Sequence, residues 1–367
     1  REEQMRWFDE VWREAEAARE RGAKVTAVTA WGLLGSYDWN RLLAEEAGHY
    51  EPGVFDLRLG EPAPTAMTPL LKDLAAGRRP TQPALKGLGW WRREDRFFDQ
   101  VVDLPEPCAI VRGVHHDTED ARPILVIGPD GHAAAALATA CAHRNLAVEL
   151  WHVPAGQEGT IDARLPEMLR IQEPWAVISL IRNGQAAALV AEIAGDMPVV
   201  TWRGDEETVE RTPALNELLV TCPSSLSRSD LESFSNEVLH TLSEGEPVRA
   251  AANRLAPRIY LPDAANVLLD LLIDGRRGRL HLTAPPPVSW AELAASLAMD
   301  CGLNPHLVTP VSPPVSALRR TEAEPREQVP VLALPPLVNA GQRVAASWKL
   351  ITAGRNSCAV QGQAEPE

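Results

Sequence analysis

From Pro123 onward the chain alternates short continuous apolar runs with longer stretches whose apolar positions recur every three or four residues. Apolar runs of this kind are expected of parallel strands covered on both faces, and the longer stretches of amphipathic helices. Strands are predicted at Ile124 to Ile127, Leu146 to Trp151, Trp175 to Leu180, Pro198 to Trp202, Leu218 to Cys222 and Gly278 to Thr283. Helices are predicted around 165–172, 186–194, 231–242 and 264–273, and at 289–298, where Ser289 is the N-cap. This order predicts an α/β fold over residues 122–340, a Rossmann-like doubly wound parallel sheet with a small C-terminal substrate-binding subdomain. Upstream, residues 2–21 read as a helix with Met5, Phe8, Val11, Trp12 and Ala15 on one face, stopped by Gly22. Lys24 to Trp31 alternates toward a strand. Residues 81–121 are punctuated by Gly and Pro as a linker, and 341–367 have the composition of a disordered tail.

The first strand runs into a glycine turn. Gly128, Gly131 and Ala134 make the spacing G-x-x-G-x-x-A, which lets backbone N–H groups approach a pyrophosphate at a helix N-terminus. A tight strand-to-helix turn without a ligand has the same pattern. Asp130 places a negative charge in the loop, so dinucleotide affinity is expected to be weak.

Charge and composition narrow the classes. The net charge is -14, with Lys and Arg interspersed among Asp and Glu, which leaves no basic footprint for nucleic acid. The five cysteines are far apart with no C-x-x-C, so they read as reduced cytosolic thiols rather than a zinc site or disulfide framework. His115, His116 and Asp117 are too close together in sequence to make a complete metal site. No apolar run approaches the roughly 18 residues of a membrane span. A cytoplasmic protein with no membrane partner is expected. Trp90 and Trp91 are read as pinning the linker to its neighbour, with stacking on a sugar or nucleotide as the alternative.

Two stretches resemble known families. The N-terminal helix, the strand-like segment, W-G-L-L-G-S-Y-D-W from Trp31 and G-H-Y-E-P-G-V-F-D-L-R from Gly48 are together similar to the last strand and following loop of family-1 glycoside hydrolases. The resemblance implies that residues 1–80 are the C-terminal part of a (β/α)8 barrel. It also implies that Trp31, Asp38 and Trp39 hold sugar hydroxyls, with Asp38 where the family usually has Glu. Such a barrel takes ~250 residues, and hydrolysis takes two facing carboxyl groups, which the family carries on earlier strands. A missing N-terminal barrel portion of the same parent chain is therefore expected. A pair of core aromatics is the competing reading of Trp31 and Trp39.

Over residues 122–340, R-P-I-L-V-I-G-P-D-G, I-D-A-R-L-P-E-M-L-R-I-Q-E-P-W-A-V-I-S, the segment from Ser243 to Gly275, and G-R-L-H-L-T-A-P-P-P-V-S-W-A-E-L-A are similar to dTDP-4-dehydrorhamnose reductase and its sugar-nucleotide-binding relatives among extended short-chain dehydrogenases. The family reduces a 4-keto sugar on dTDP with NADPH or NADH. The resemblance implies that Gly128, Pro129, Asp130, Gly131 and Ala134 meet NADP or NAD, and that Asp162 lies near the adenine. It implies that Arg258, Tyr260 and Asp263 line the pocket for a dTDP-deoxysugar.

The sequence departs from that family where catalysis is done. A short-chain reductase uses Y-x-x-x-K, the tyrosine as proton donor and the lysine to lower its pKa. The three tyrosines, Tyr37, Tyr50 and Tyr260, are followed four residues later by Arg41, Val54 and Ala264. Between the fourth and fifth strands the chain is too short for the family's catalytic helix, which leaves Thr201 and Arg203 as the nearby hydroxyl and cation. No catalytic residue is assigned. The expected function is a catalytically degraded sugar-nucleotide-binding module in deoxysugar or envelope-glycan metabolism. The alternative is a non-catalytic scaffold or regulatory domain attached to a hydrolase-like enzyme.

Overall fold

The structure is a computed structural model that describes residues 1–39, 50–94, 121–129, 131–154, 156–204, 211–222, 225–257, 259–284, 287–312, 329–335, 337 and 339–349. The chain divides into two compact units. The first comprises Arg1–Cys222, Ala264–Leu282 and Pro325–Leu332, and the second Pro223–Asp263, Thr283–Glu324 and Ala333–Glu367.

A seven-stranded sheet is the centre of the first unit. Its strands, in chain order, are β1 (Ile124–Gly128), β2 (Val148–His152), β3 (Ala176–Ser179), β4 (Val199–Gly204), β5 (Glu217–Cys222), β6 (Gly278–Thr283) and β7 (Val331–Ala333). Across the sheet they lie in the order 7-6-5-4-3-1-2. The pairings from β2 through β6 are all parallel, and β7 is bound to β6 through His281 N to Pro330 O and Leu334 N to Thr283 O. This is a Rossmann-like doubly wound sheet. Chain direction across it reverses beside β1, because β2 lies on one side of β1 and β3 on the other. β1 is apolar throughout because both its faces are covered, and Ile124 to Ile127 are all buried.

The described helices of this unit are α1 (Glu2–Glu20), α2 (Met67–Ala75), α3 (His132–His143), α4 (Ile161–Gln172) and α5 (Gly184–Ile193), with most of α7 (Leu261–Ile273). On α3, Leu137, Ala138 and Cys141 form the buried stripe. Trp151, Val153, Ile161, Leu165, Ala187 and Val190 pack with Leu125, Ile127 and Val177 in one core cluster.

The second unit holds α6 (Arg228–Ser243), the start of α7 (Leu261–Ile273), α8 (Trp290–Asp300) and a helix over residues 339–349. Ser289 caps α8 as its sequence predicts, in a reciprocal capping box with Glu292. Phe234 meets Trp290 edge to face at 4.7 Å, and Leu226, Leu231, Leu293 and Leu297 form the core with Leu337, Ala340 and Ala345. Residues 341–349, expected in a disordered tail, are therefore helical. Their few apolar positions fall on one face and bury it, a spacing hidden by the polar residues between them.

The N-terminal segment departs furthest from expectation. Residues 24–30 form no strand, and most of them are exposed, with no strand among the described residues alongside to bond their backbone. In place of a barrel strand there are two short antiparallel pairs, Ser36–Tyr37 with Tyr50–Glu51 and Phe55–Asp56 with Ala63–Pro64. The barrel portion implied for 1–80 has no counterpart in the described backbone. Residues 1–94 instead belong to the same unit as the sheet. The described part of the expected linker is also built in, with 3-10 turns at Pro83–Leu85 and Trp90–Arg92 and with Ala84 and Arg93 buried. Trp91 packs edge to face on Trp7 at 4.9 Å and donates from Nε1 to Glu10, so it pins this stretch to α1.

Charge holds that attachment. Arg6 donates to the carbonyls of Lys86, Arg144 and Asn145, and Arg93 to that of His143, so two guanidiniums cover the C-terminal end of α3. Arg144 in turn holds both carboxylate oxygens of Glu2 and, at 2.8 Å, Asp270 of α7. Burial would raise the Glu2 carboxyl, but Arg144 and the N-terminal ammonium together hold it at about 2.

Candidate functional site

In doubly wound sheets, ligands bind beyond the carboxyl ends of the strands where chain direction reverses. Here that point is the crevice between the loops after β1 and β3. The register sets Ile127 opposite Ser179, and Leu180 N donates to Ile127 O at 2.8 Å. A Cβ at Gly128 would come within 2.6 Å of the Leu180 Cβ, so glycine is what allows the two loops to close on each other. A Cβ on Gly131 would meet nothing within 4 Å beyond its chain neighbours, so among the described residues the space over the turn is open.

The two helix N-termini at this edge differ. α5 is capped by Asn183, whose Oδ1 accepts from Gln185 N and Ala186 N at 3.0 and 3.1 Å. No described side chain caps α3 at Gly131, so the N–H groups of His132, Ala133 and Ala134 are the donors aimed into the open space. Open room and orphan donors together fit a pyrophosphate. Asp130 lies outside the described residues. Pro129 is half-buried in the turn, and Ala134 is half-buried in the first turn of α3.

At the end of β2, His152 pairs in register with Gly128, and Val153 N donates to Gly128 O at 2.8 Å. α4 starts at this same edge. Its first turn carries Asp162, exposed, and Arg164, whose guanidinium lies over the Trp151 ring at 5.7 Å. Arg164 was not singled out in the sequence, where a lone arginine in an amphipathic helix reads as solvated surface.

The residues nearest a reductase's catalytic position are committed elsewhere. Thr201 is buried, and its hydroxyl donates to Glu217 of β5. Glu217 also pairs with Arg211 through both oxygens and accepts from Ala214 N at 3.1 Å. Burial alone would raise the Glu217 carboxyl, but Arg211 and Thr201 hold it below its ordinary range. Arg203, also buried, donates to the carbonyl of Arg182 in the loop after β3.

The remaining candidates lie elsewhere. In the second unit Arg343 of the 339–349 helix grips Asp263 through both carboxylate oxygens, at 2.9 and 2.8 Å, and lies 5.5 Å from the centre of the Tyr260 ring. Burial raises the Tyr260 hydroxyl and the Asp263 carboxyl. Arg258 lies outside the described residues. In the N-terminal segment Trp31 is 87% and Trp39 50% exposed, so they are not a pair of core aromatics, while Asp38 between them is buried with φ at 50°. Backbone bonds from Val54 N to Gly32 O and from Phe55 N to Leu33 O frame this loop. No group of three or more metal-ligating side chains occurs among the described residues, and none of the described helices is long and apolar enough to cross a membrane.

No protein-family model and no curated protein matches the sequence. Solved structures align with the chain at low identity. They include dTDP-4-dehydrorhamnose reductase from Bacillus anthracis in complex with NADP, at 15% identity and TM-score 0.42 over 61% of this chain and 99% of that one. The dTDP-4-dehydrorhamnose reductase from Yersinia enterocolitica aligns at 12% identity and TM-score 0.42, over 61% and 99%. A GDP-L-fucose synthetase from Naegleria fowleri bound to NADP aligns at 11% and 0.41, over 64% and 94%. The fold class rests on the strand order itself, and these likenesses add no residue to the site.

Proposed function

We propose that this chain is a sugar-nucleotide-binding module of the dTDP-4-dehydrorhamnose reductase type that takes NADP or NAD at the β1/β3 crevice and has lost reductase catalysis. The observation that carries this reading is the opening of the glycine turn into an uncapped α3 where chain direction reverses. The N–H groups of residues 132–134 would hold the pyrophosphate, and the bound nicotinamide would supply hydride chemistry. Loss of catalysis is supported by the missing Y-x-x-x-K pair and by the commitment of Thr201 to Glu217. A dTDP-deoxysugar is the proposed second ligand, with Tyr260, Asp263 and Arg258 as its contacts. A role in deoxysugar or envelope-glycan metabolism in the cytoplasm follows, and the free thiols of Cys141 and Cys301 are compatible with it. The link to glycoside hydrolases, with Trp31, Asp38 and Trp39 on a sugar, rests on the sequence motif alone.

Calorimetric titration of the full chain with NADPH, NADH and a dTDP-sugar tests the reading. Dinucleotide binding is expected, with 4-keto-sugar reduction slowed by the ~10²–10⁴-fold of a lost general acid. Turnover at an ordinary ~1–10³ per second would overturn the loss of catalysis. A second reading, a scaffold that binds no nucleotide, draws on the engagement of Asp263 and Tyr260 by Arg343. Absence of binding by all three ligands would favour it.

A further inference from the structure

We infer that the dinucleotide taken by this chain carries a 2′-phosphate, so that NADP(H) is selected over NAD(H), and that Arg164 is the residue that meets the phosphate. The inference rests on the nucleotide-binding reading above. In dinucleotide-binding sheets the choice is made at the end of the strand beside the glycine turn. A carboxylate there, about 20 residues past the turn, accepts from a free ribose 2′-OH, whereas an arginine nearby accommodates a 2′-phosphate. In this chain the position is His152, opposite Gly128 in register. An imidazole there provides no carboxylate, and Glu149, the carboxylate of that strand, is buried three residues back. The cation is supplied by the next element. α4 begins at the carboxyl edge of β2, and Arg164 in its first turn lies over the Trp151 ring at 5.7 Å. Face contact with an indole fixes a guanidinium while leaving its in-plane N–H groups to fork onto phosphate oxygens. No described residue forms an ion pair with Arg164.

Asp162 is the rival within the same turn. It lies two residues before Arg164, so the two side chains do not face each other around the helix. Only one of them can determine the selectivity. If Asp162 accepted from the ribose, NAD(H) would be preferred.

The test is calorimetric titration of the full chain with NADPH and with NADH, at low and at moderate KCl, for the natural sequence, Arg164→Ala, Arg164→Lys and Asp162→Asn. NADPH is expected to bind about ten-fold or more tightly than NADH, the size of a charge-assisted contact, with the steeper salt dependence. Arg164→Ala should weaken NADPH alone and bring the two affinities together. Arg164→Lys should keep part of the preference, and Asp162→Asn should leave it or enlarge it. Equal or tighter binding of NADH overturns the inference. So does a preference for NADPH that survives Arg164→Ala, or one that Asp162→Asn abolishes. If neither dinucleotide binds, the nucleotide-binding reading falls and takes this inference with it.

Discussion

Glu217 opens β5 with a side chain that solvent does not reach, and both its oxygens are used by Thr201, Arg211 and Ala214 N. Desolvating a carboxylate is costly, and removing one partner of such a group leaves the other buried and unpaired. Glu217→Gln is therefore expected to destabilise the first unit by about 3–5 kcal/mol. Thr201→Val, which leaves Arg211 in place, should cost about 1–2 kcal/mol. The pair should be non-additive in urea titrations, because the two residues share one network. The folded Glu217 carboxyl lies below its ordinary range, so its contribution is present at neutral pH and is lost as pH falls through the folded value. None of this was legible in the sequence. Thr201 reads as a hydroxyl near a catalytic centre because it lies near the end of an apolar strand, and nothing local shows that a glutamate 16 residues later uses its hydroxyl.

At the scale of elements, α1 was legible as an amphipathic helix and illegible as a clamp. Met5 and Phe8 follow its apolar face, but Glu2 and Arg6 are buried too, and both find partners 138 or more residues away at the end of α3. Arg144→Met should remove the guanidinium that Glu2 and Asp270 share and cost about 3–5 kcal/mol in denaturant titrations. Acid should act on the same joint. With Glu2 depressed from an ordinary 4.5 to about 2, its share of stability is complete above pH 4.5 and disappears as pH falls through about 2. Circular dichroism in acid should therefore show Glu2→Gln flattening the pH dependence over that window. An unchanged acid transition would mean that the clamp contributes nothing to folding.

For the whole molecule, the alternation of apolar runs and helical periods gave the strands nearly in place. β6 matches its predicted bounds, β5 starts one residue earlier than predicted, and β4 is shifted to start one residue later and end two later. Parallel strands buried on both faces carry their signal within a few residues, so local reading suffices. Strand order, by contrast, is a matter of distant pairing, and so is the fate of Lys24 to Trp31, which alternates like a strand but pairs with no strand among the described residues. The glycine turn could be found from sequence, whereas the pairing of Arg343 with Asp263 and of Arg164 with Trp151 depends on which surfaces the fold brings together. The buried stripe of α3 adds one more consequence. Burial pushes the Cys141 thiol up to about 12, so at pH 8 only about one molecule in 10⁴ carries the reactive thiolate there. Alkylation of Cys141 thus has to wait until α3 lifts from the sheet, which makes its rate a clock for that opening. Peptide-resolved mass spectrometry over a time course with iodoacetamide should find the half-buried Cys301 modified well before Cys141, and dinucleotide bound at the head of α3 should slow the clock further.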